Sequence, residues 1–523
     1  MAAIVSFDFQ NCFILSLFCL FLSYFLLIFF FKKPKNGFDL PPSPPSLPII
    51  GHLHLLLSAP IHKCFHNISS KYGPFLHLHI FNVPVVLVSS ASMAYEIFKA
   101  HDMYISFRGD VAIDECVVFG SFGFLRAPYG GYWKVVKKII TTKGIGPQAL
   151  ERSLGVREVE LERFHKNLLD KAKKEESIEF GEEAMRLVNN TLGKLSMGSS
   201  FSVEDNDGEK VSEFTVKLAA LSPLFFVAQI FNKPLEKLGI TLLKWEIMKV
   251  SERFEELLEN ILVRYETKMD DHQGTEFMDT LLAAHRDENA EYKITRKNIK
   301  ALFAELFFGA GDTSSSTTRW AMAEVLNNPK IIERLREEID SVVGTTRFVQ
   351  ETDLPKLPYL QAVVKETLRL HPVAPVLSRE FEKGCTIGGF YIPKGTSLVI
   401  NAYALMRDPG FWEDPNEFKP ERFLTCARTR QEEERREQAL KYLPFGSGRR
   451  GCPGSSLAYI LVGTAVGVMV QCFDWDIKGD NKVNLEEAFG LRFFSSLAHP
   501  LQCTPCPRII NFLPSDTPPI PCL

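Results

Sequence analysis

Residues 443–454, LPFGSGRRGCPG, set one thiol, Cys452, behind three glycines and two arginines and directly before a proline. A lone cysteine in such a frame suits a single thiolate ligand: glycines let a flat partner approach the backbone, and N–H groups or cations favour the ionised sulfur. The formal GxGxxG here (Gly446, Gly448, Gly451) lacks the strand that must precede a dinucleotide-binding turn, because the residues before it follow a charged, helix-like run and include Pro444. A phosphate-binding loop would need Lys and Ser/Thr where Cys452 and Pro453 stand. Zinc is excluded as well, since the nearest other cysteine is Cys472 and no histidine lies close by. Pro453 suits the first position of a helix that continues through SSLAYILVGTAVGVMVQCF, which sets Cys452 at a helix N-terminus where the dipole stabilises a thiolate. A haem iron fits such a ligand, and Arg450 offers a charge-assisted contact to a haem propionate. A structural cysteine on a tight turn is the plainer alternative for this stretch.

Two further stretches carry chemistry. KETLRL puts Glu366 and Arg369 three apart on one helical face, and FKPERF supplies Arg422. Alone, these are ordinary surface charges of little energetic worth. FFGAGDTSSS breaks a helical pattern with Gly309 and Gly311 on either side of Ala310. Each helix-interior glycine costs up to roughly 1 kcal/mol relative to alanine, so something flat or small must approach there.

Phe445, Gly448, Arg450, Cys452 and Gly454 match the FxxGxRxCxG signature of the cytochrome P450 family at every fixed position, and the chain resembles that family along its whole length. The resemblance implies haem b with Cys452 as axial thiolate and metal ligand. It implies a structural ion-pair triad of Glu366, Arg369 and Arg422, and a catalytic acid and alcohol, Asp312 and Thr313, that organise water and protons around bound dioxygen. Phe445, Gly448 and Arg450 would border the cofactor, while Trp133 and Lys137 of YWKVVKK, with Arg379, would help hold the propionates. The family pattern [AG]Gx[DE]T has glycine where this chain has Ala310, so a narrower oxygen groove is expected with acid and alcohol intact. The implied fold is mainly α with small β-sheets, preceded by one N-terminal transmembrane helix.

The same resemblance makes residues 113–124, 221–226, 303–307, 373–377 and 493–497 substrate-facing, and their apolar, aromatic character argues for a bulky lipophilic substrate. The proline-rich lead, APYGGYW, FKPERF and PCPRI look like a plant A-type enzyme, and AMAEVLNNPKIIERLREEIDSVVG resembles a crucifer subfamily that includes triterpene-tailoring enzymes. Flavonoid and phenolic hydroxylases are near relatives. The implied activity is monooxygenation with O2 and NADPH-derived electrons: hydroxylation of a plant specialised metabolite of triterpenoid type, or its desaturation or C–C cleavage. The implied partner is the membrane-bound NADPH–cytochrome P450 reductase, and Lys134, Lys137 and Lys138 form a basic patch suited to it. A reductant-independent haem-thiolate isomerase or dehydratase is a rival that the intact Asp312 and Thr313 oppose.

The elements that must position these residues follow from pattern. Residues 12–31 carry no charge, enough helix to cross a bilayer, with Asp8 before the run and Lys32, Lys33 and Lys35 after it. These flanks suit a retained anchor rather than a cleaved signal, and the positive-inside rule puts the rest of the chain in the cytosol, on the endoplasmic reticulum. Residues 1–33 are thus the anchor and its flank, 34–51 a stiff proline-rich hinge, and 52–523 the catalytic domain. Strands are expected around 75–90 and 385–405, with helical periodicity over most of 140–370. With 60 Lys+Arg against 63 Asp+Glu there is no basic field for nucleic acid. Eleven cysteines, an odd number, in a chain whose catalytic domain faces the cytosol argue against a disulfide framework.

Overall fold

The computed structural model describes residues 16–21, 23, 39–81, 83–108, 123–198, 207–220, 244–267, 276–424, 440–477, 482–489 and 494–508. The chain is mainly helical with small sheets. The helices that carry the core and the site are α1 (Ile61–Tyr72), α2 (Gly131–Ile139), α3 (Leu154–Lys173), α4 (Phe180–Met197), α5 (Arg296–Asn327), α6 (Pro329–Val342), α7 (Pro358–Leu370) and α8 (Ser455–Cys472).

Local chemistry sets their limits. Thr295 and Asn298 form a capping box that starts α5, whose 32 residues extend for about 48 Å. Prolines open α6 and α7 at the position where a missing N–H costs nothing. α7 ends at Leu370, just before His371 meets Pro372, because a residue preceding proline is driven out of the α region. Among the described residues α8 is the one helix long and apolar enough to cross a membrane, yet most of it is buried. Its all-round apolarity is that of a core helix: it packs with α3, α5, α6 and α7 in one large cluster. A second cluster joins α2, α5 and the helix Lys244–Thr267.

The strands form three sheets. In the largest, β1 (Phe75–Ile80) pairs antiparallel with β2 (Val83–Val88), β2 parallel with β7 (Ser397–Ile400), and β7 antiparallel with β4 (Leu377–Glu380). The others are β3 (Ile178–Glu179), β9 (Gln502–Pro507) and β8 (Phe473–Ile477) in that order, and the hairpin of β5 (Cys385–Ile387) with β6 (Phe390–Ile392). Strands therefore lie in both expected stretches, although the second ends in a short helix, Ala402–Leu405.

The proline-rich lead forms neither helix nor strand over 39–46, but it is not free-standing. The His77 N–H donates to Pro42 O at 2.8 Å, the Tyr391 N–H to Asp39 O at 3.1 Å, and the His52 ring bridges Pro44 O at 2.9 Å and the His79 N–H at 3.0 Å. The lead thus belongs to the sheet edge. Of the apolar run 12–31, only residues 16–21 and 23 are described, and they are helical and exposed; the remainder of the expected span lies outside the described residues.

Candidate active site around Cys452

The thiol loop is a series of glycine turns. The Gly446 N–H donates to Leu443 O, the Gly451 N–H to Gly448 O and the Cys452 N–H to Phe445 O, at 3.0–3.1 Å. The Phe445 ring in turn sits edge-on to Tyr459 of α8 at 5.2 Å. α8 begins only at Ser455, with Gly454 as its cap, so Pro453 precedes the helix instead of opening it. The first intrahelical bond runs from the Ala458 N–H to Gly454 O at 2.9 Å. Gly448 has φ +72°, and a Cβ there would lie 2.2 Å from Asp102 Oδ1. Asp102 pairs with Arg449 at 2.7 Å, and Lys137 Nζ from α2 donates to Arg449 O at 2.7 Å, so the loop is gripped from two sides.

Cys452 is accessible, yet protein walls it closely. Burial pushes its thiol up, although the Gly454 N–H and Arg108 act to lower it. The helix terminus by itself therefore does not hold the thiolate expected from the sequence; coordination to a metal would, because a coordinating thiol loses its proton outright.

Three arginines gather beside this thiol. Burial lowers Arg379 to about 9 and Arg450 to about 10, and in each case the charge of Arg108 adds to the effect. Arg450 spends its donors on carbonyls, Ser106 O at 2.8 Å, Phe124 O at 3.2 Å and Ala127 O. Arg379 Nη1 reaches Ser378 O at 2.7 Å. None of the three forms an ion pair among the described residues, and the buried Arg108 Nε has no partner. The Trp133 indole N–H, stacked on Phe124 at 5.2 Å with Lys137 Nζ over its ring at 4.9 Å, is likewise buried and unpartnered. Guanidinium groups without a direct carboxylate partner, with orphaned N–H donors around an accessible cysteine, fit a flat ligand bearing carboxylates, which is what haem propionates are. The residues present thus fit the expected cofactor. Arg108 was missed in the sequence, where SFRGD shows nothing but a basic residue after an apolar stretch.

On α5 the two glycines serve different ends. Gly309 is exposed in mid-helix, and a Cβ added there would meet nothing within 4 Å. Gly311 is buried, and its Cβ would lie 2.8 Å from Asn189 Oδ1 of α4, so it permits close helix packing. Ala310 packs against the second core cluster, which leaves the open notch at Gly309. Thr313 Oγ1 donates to Gly309 O at 2.6 Å, with half-buried Asp312 next in the chain.

Phe303 and Phe307, expected to face substrate, are instead buried in the core with their rings 4.8 Å apart. The half-buried Phe308 is the ring that reaches outward, to Phe494 at 5.8 Å. Residues 113–122, 221–226 and Phe493 lie outside the described residues. Glu305 was not singled out either. Its carboxylate accepts the Phe124 N–H at 2.6 Å and the Leu125 N–H at 3.0 Å, and burial pushes it up to about 8.

The ion-pair residues do meet. Arg369 donates through Nε and Nη2 to the Glu366 carboxylate at 2.7 and 2.8 Å, with both side chains fully buried. Arg422 Nε donates to the same Glu366 carboxylate at 3.2 Å, and the Lys419 N–H donates to it at 2.9 Å. Arg369 Nη1 also ties down Met406 O and Pro415 O at 2.8 Å, so the pair organises the segment that leads toward the thiol loop.

Residues 41–500 match the family model described as Cytochrome P450. The chain is 63% identical to Cytochrome P450 705A1 of Arabidopsis thaliana over 96% of each chain, and 59% identical to Cytochrome P450 705A22 of the same plant over 97% of this chain and 99% of that one. It is 38% identical to 3,9-dihydroxypterocarpan 6A-monooxygenase of Glycine max, over 93% of this chain and 96% of that one. A zebra fish cytochrome P450 solved with abiraterone superposes with a TM-score of 0.71 at 24% identity, covering 86% of this chain and 99% of that one. The chain therefore belongs to the cytochrome P450 family of haem-thiolate monooxygenases and, within it, to the plant A-type 705 subfamily.

Proposed function

We propose that this enzyme, tethered to the endoplasmic reticulum with its catalytic domain in the cytosol, oxidises a bulky lipophilic plant metabolite of triterpenoid type, most simply by hydroxylation. The observation that carries the reading is the set of orphaned donors around the accessible Cys452.

Haem, when bound, supplies the activation of dioxygen for insertion of one oxygen atom into a C–H bond. Cys452 would hold its iron, and the free donors of Arg108 and Trp133, with Arg379 and Lys137, would hold its propionates. Thr313 Oγ1, fixed by its bond to Gly309 O, stands beside Asp312 where a hydroxyl can retain a water and pass a proton. Buried Phe303 and Phe307 behind that notch give a dry wall. Lys134 and Lys138 are exposed on α2, the helix that grips the thiol loop through Lys137, which supports docking of an acidic face of NADPH–cytochrome P450 reductase. The uncharged run 12–31 with lysines after it supports the single-pass anchor.

A second reading, hydroxylation of a flavonoid or other phenolic, is favoured by the name of the soybean relative, which acts on a dihydroxypterocarpan. Co-expression with the reductase and a panel of triterpene synthases, beside feeding of flavonoids, separates the two by the mass and class of the oxygenated product. Oxidation of phenolics alone would replace the triterpenoid reading. Protease treatment of sealed microsomes tests the topology: the catalytic domain should be digested, and its protection would reverse the orientation.

A further inference from the structure

We propose that a cavity between α1, the end of α7, the helix Ala402–Leu405 and the residues Leu485, Glu487 and Ser495 binds a small oxyanion of the phosphate type. Its volume is about 70 Å³, room for a few waters or one tetrahedral anion.

Arg407 is its main charged wall. The side chain is buried, stacks 3.8 Å over the Tyr403 ring and donates Nη2 to Leu370 O, while Nε and Nη1 have no partner. Burial lowers it only to about 10, so it remains a cation at neutral pH. Trp320, also on the wall and 1% exposed, stacks on His371 at 3.9 Å and leaves its indole N–H unpartnered.

The carboxylates nearby are already engaged. Glu487 is held by His62 at 3.1 Å and Lys63 at 2.8 Å; burial would raise it, but His62, Lys63 and Ser495 outweigh this and bring it down to about 2. Glu324 is taken by His371 at 2.7 Å. Among the lining residues the buried side-chain atoms without a partner are all donors: Arg407 Nε and Nη1 and Trp320 Nε1. An oxyanion offers several charged acceptor oxygens to these donors, and it also offsets a buried guanidinium that no carboxylate pairs directly. Lys63, 38% exposed, supplies a further cation at the site.

Occupancy would tie α1 to Ser495, the chain neighbour of Phe494, whose ring touches Phe308 on α5, and so stiffen one border of the site. The oxyanion has two possible sources, free phosphate or the phosphate of a lipid headgroup, since α1 follows closely on the proline-rich lead.

The test uses the full-length holoenzyme in detergent at constant ionic strength, titrated with inorganic phosphate while the thermal midpoint is recorded. Saturable stabilisation is expected. Arg407→Lys should move the half-saturating phosphate concentration up by about tenfold or more, and Trp320→Phe, which keeps the ring and removes one donor, by roughly threefold. The second variant carries the test should the first fail to fold. A response that does not saturate, or half-saturation unchanged in Trp320→Phe, overturns the proposal and leaves the cavity to water. Dihexanoyl phosphatidic acid below its micellar concentration distinguishes the sources: half-saturation at least about tenfold below that of inorganic phosphate identifies a headgroup, and similar values identify the free ion.

Discussion

Glu305 and Arg450 hold one short segment from two sides: Glu305 accepts the Phe124 N–H at 2.6 Å, and Arg450 donates to Phe124 O at 3.2 Å. Glu305 belongs to α5, and Arg450 precedes Cys452 by two residues, so Phe124 links the helix bearing Thr313 to the loop bearing the thiol.

That link is pH-sensitive. Burial pushes the Glu305 carboxyl from 4.5 up to about 8, against the lowering by the two N–H groups, Arg108 and Arg450. Between those values the native state holds a proton that the unfolded chain has lost. Stability from this group is therefore present at low pH and declines as pH rises toward 8, by at most about 1.4 kcal/mol per pH unit. Glu305→Gln should flatten the thermal midpoint of the holoenzyme between pH 5 and 8 relative to wild type. Equal slopes in the two proteins would remove Glu305 from this role.

The Glu366–Arg369 pair is fully buried, so truncating one partner strands a charge. Arg369→Ala should cost about 3–5 kcal/mol and abolish recoverable haem protein. Arg422→Ala, whose partner keeps Arg369 and the Lys419 N–H, should cost about 1–2 kcal/mol and leave reduced but measurable haem content. Haem content and denaturant midpoints check the order; equal losses would contradict it.

Two glycines should respond in opposite ways. Gly448→Ala needs a left-handed backbone, at a cost of about 1–2 kcal/mol, and drives a methyl into Asp102, so the Asp102–Arg449 pair and haem retention should both suffer. Gly309→Ala meets open space and gains up to about 1 kcal/mol of helix propensity, while its methyl narrows the notch beside Thr313. A raised thermal midpoint with weakened substrate binding is expected for Gly309→Ala, and loss of stability there would show that the notch is closed.

Where the sequence was readable, order and spacing made it so. Glu366, Arg369, Arg422 and Cys452 stand in a fixed succession of short motifs, and the triad meets in space as those motifs suggest. Arg108 and Glu305 were illegible because their neighbours are backbone groups and charges far along the chain: the amide of Phe124 is 181 residues from Glu305. Phe303 and Phe307 misled because apolar residues on a helix look alike whether they line a pocket or fill the core. The start of α8 was misplaced since Pro453 is as acceptable in a turn as in a first helical position, and the first intrahelical bond, from the Ala458 N–H to Gly454 O, decides between them.

Thr313→Ala tests proton handling. It removes the hydroxyl held by Gly309 O without touching Cys452 or the buried arginines. Haem content and substrate affinity should persist, with more hydrogen peroxide released per NADPH consumed. Unchanged coupling would make Thr313 a packing residue.

The claim that Cys452 is the haem ligand is tested most directly by the carbon monoxide difference spectrum of the reduced enzyme. Cys452→Ala should lose the thiolate-type band. Cys503→Ala and Cys506→Ala should keep it, since both residues lie in β9, where Cys503 is buried with its thiol pushed up to about 12. A normal band in Cys452→Ala, or its loss in either β9 variant with Cys452 intact, would contradict the assignment.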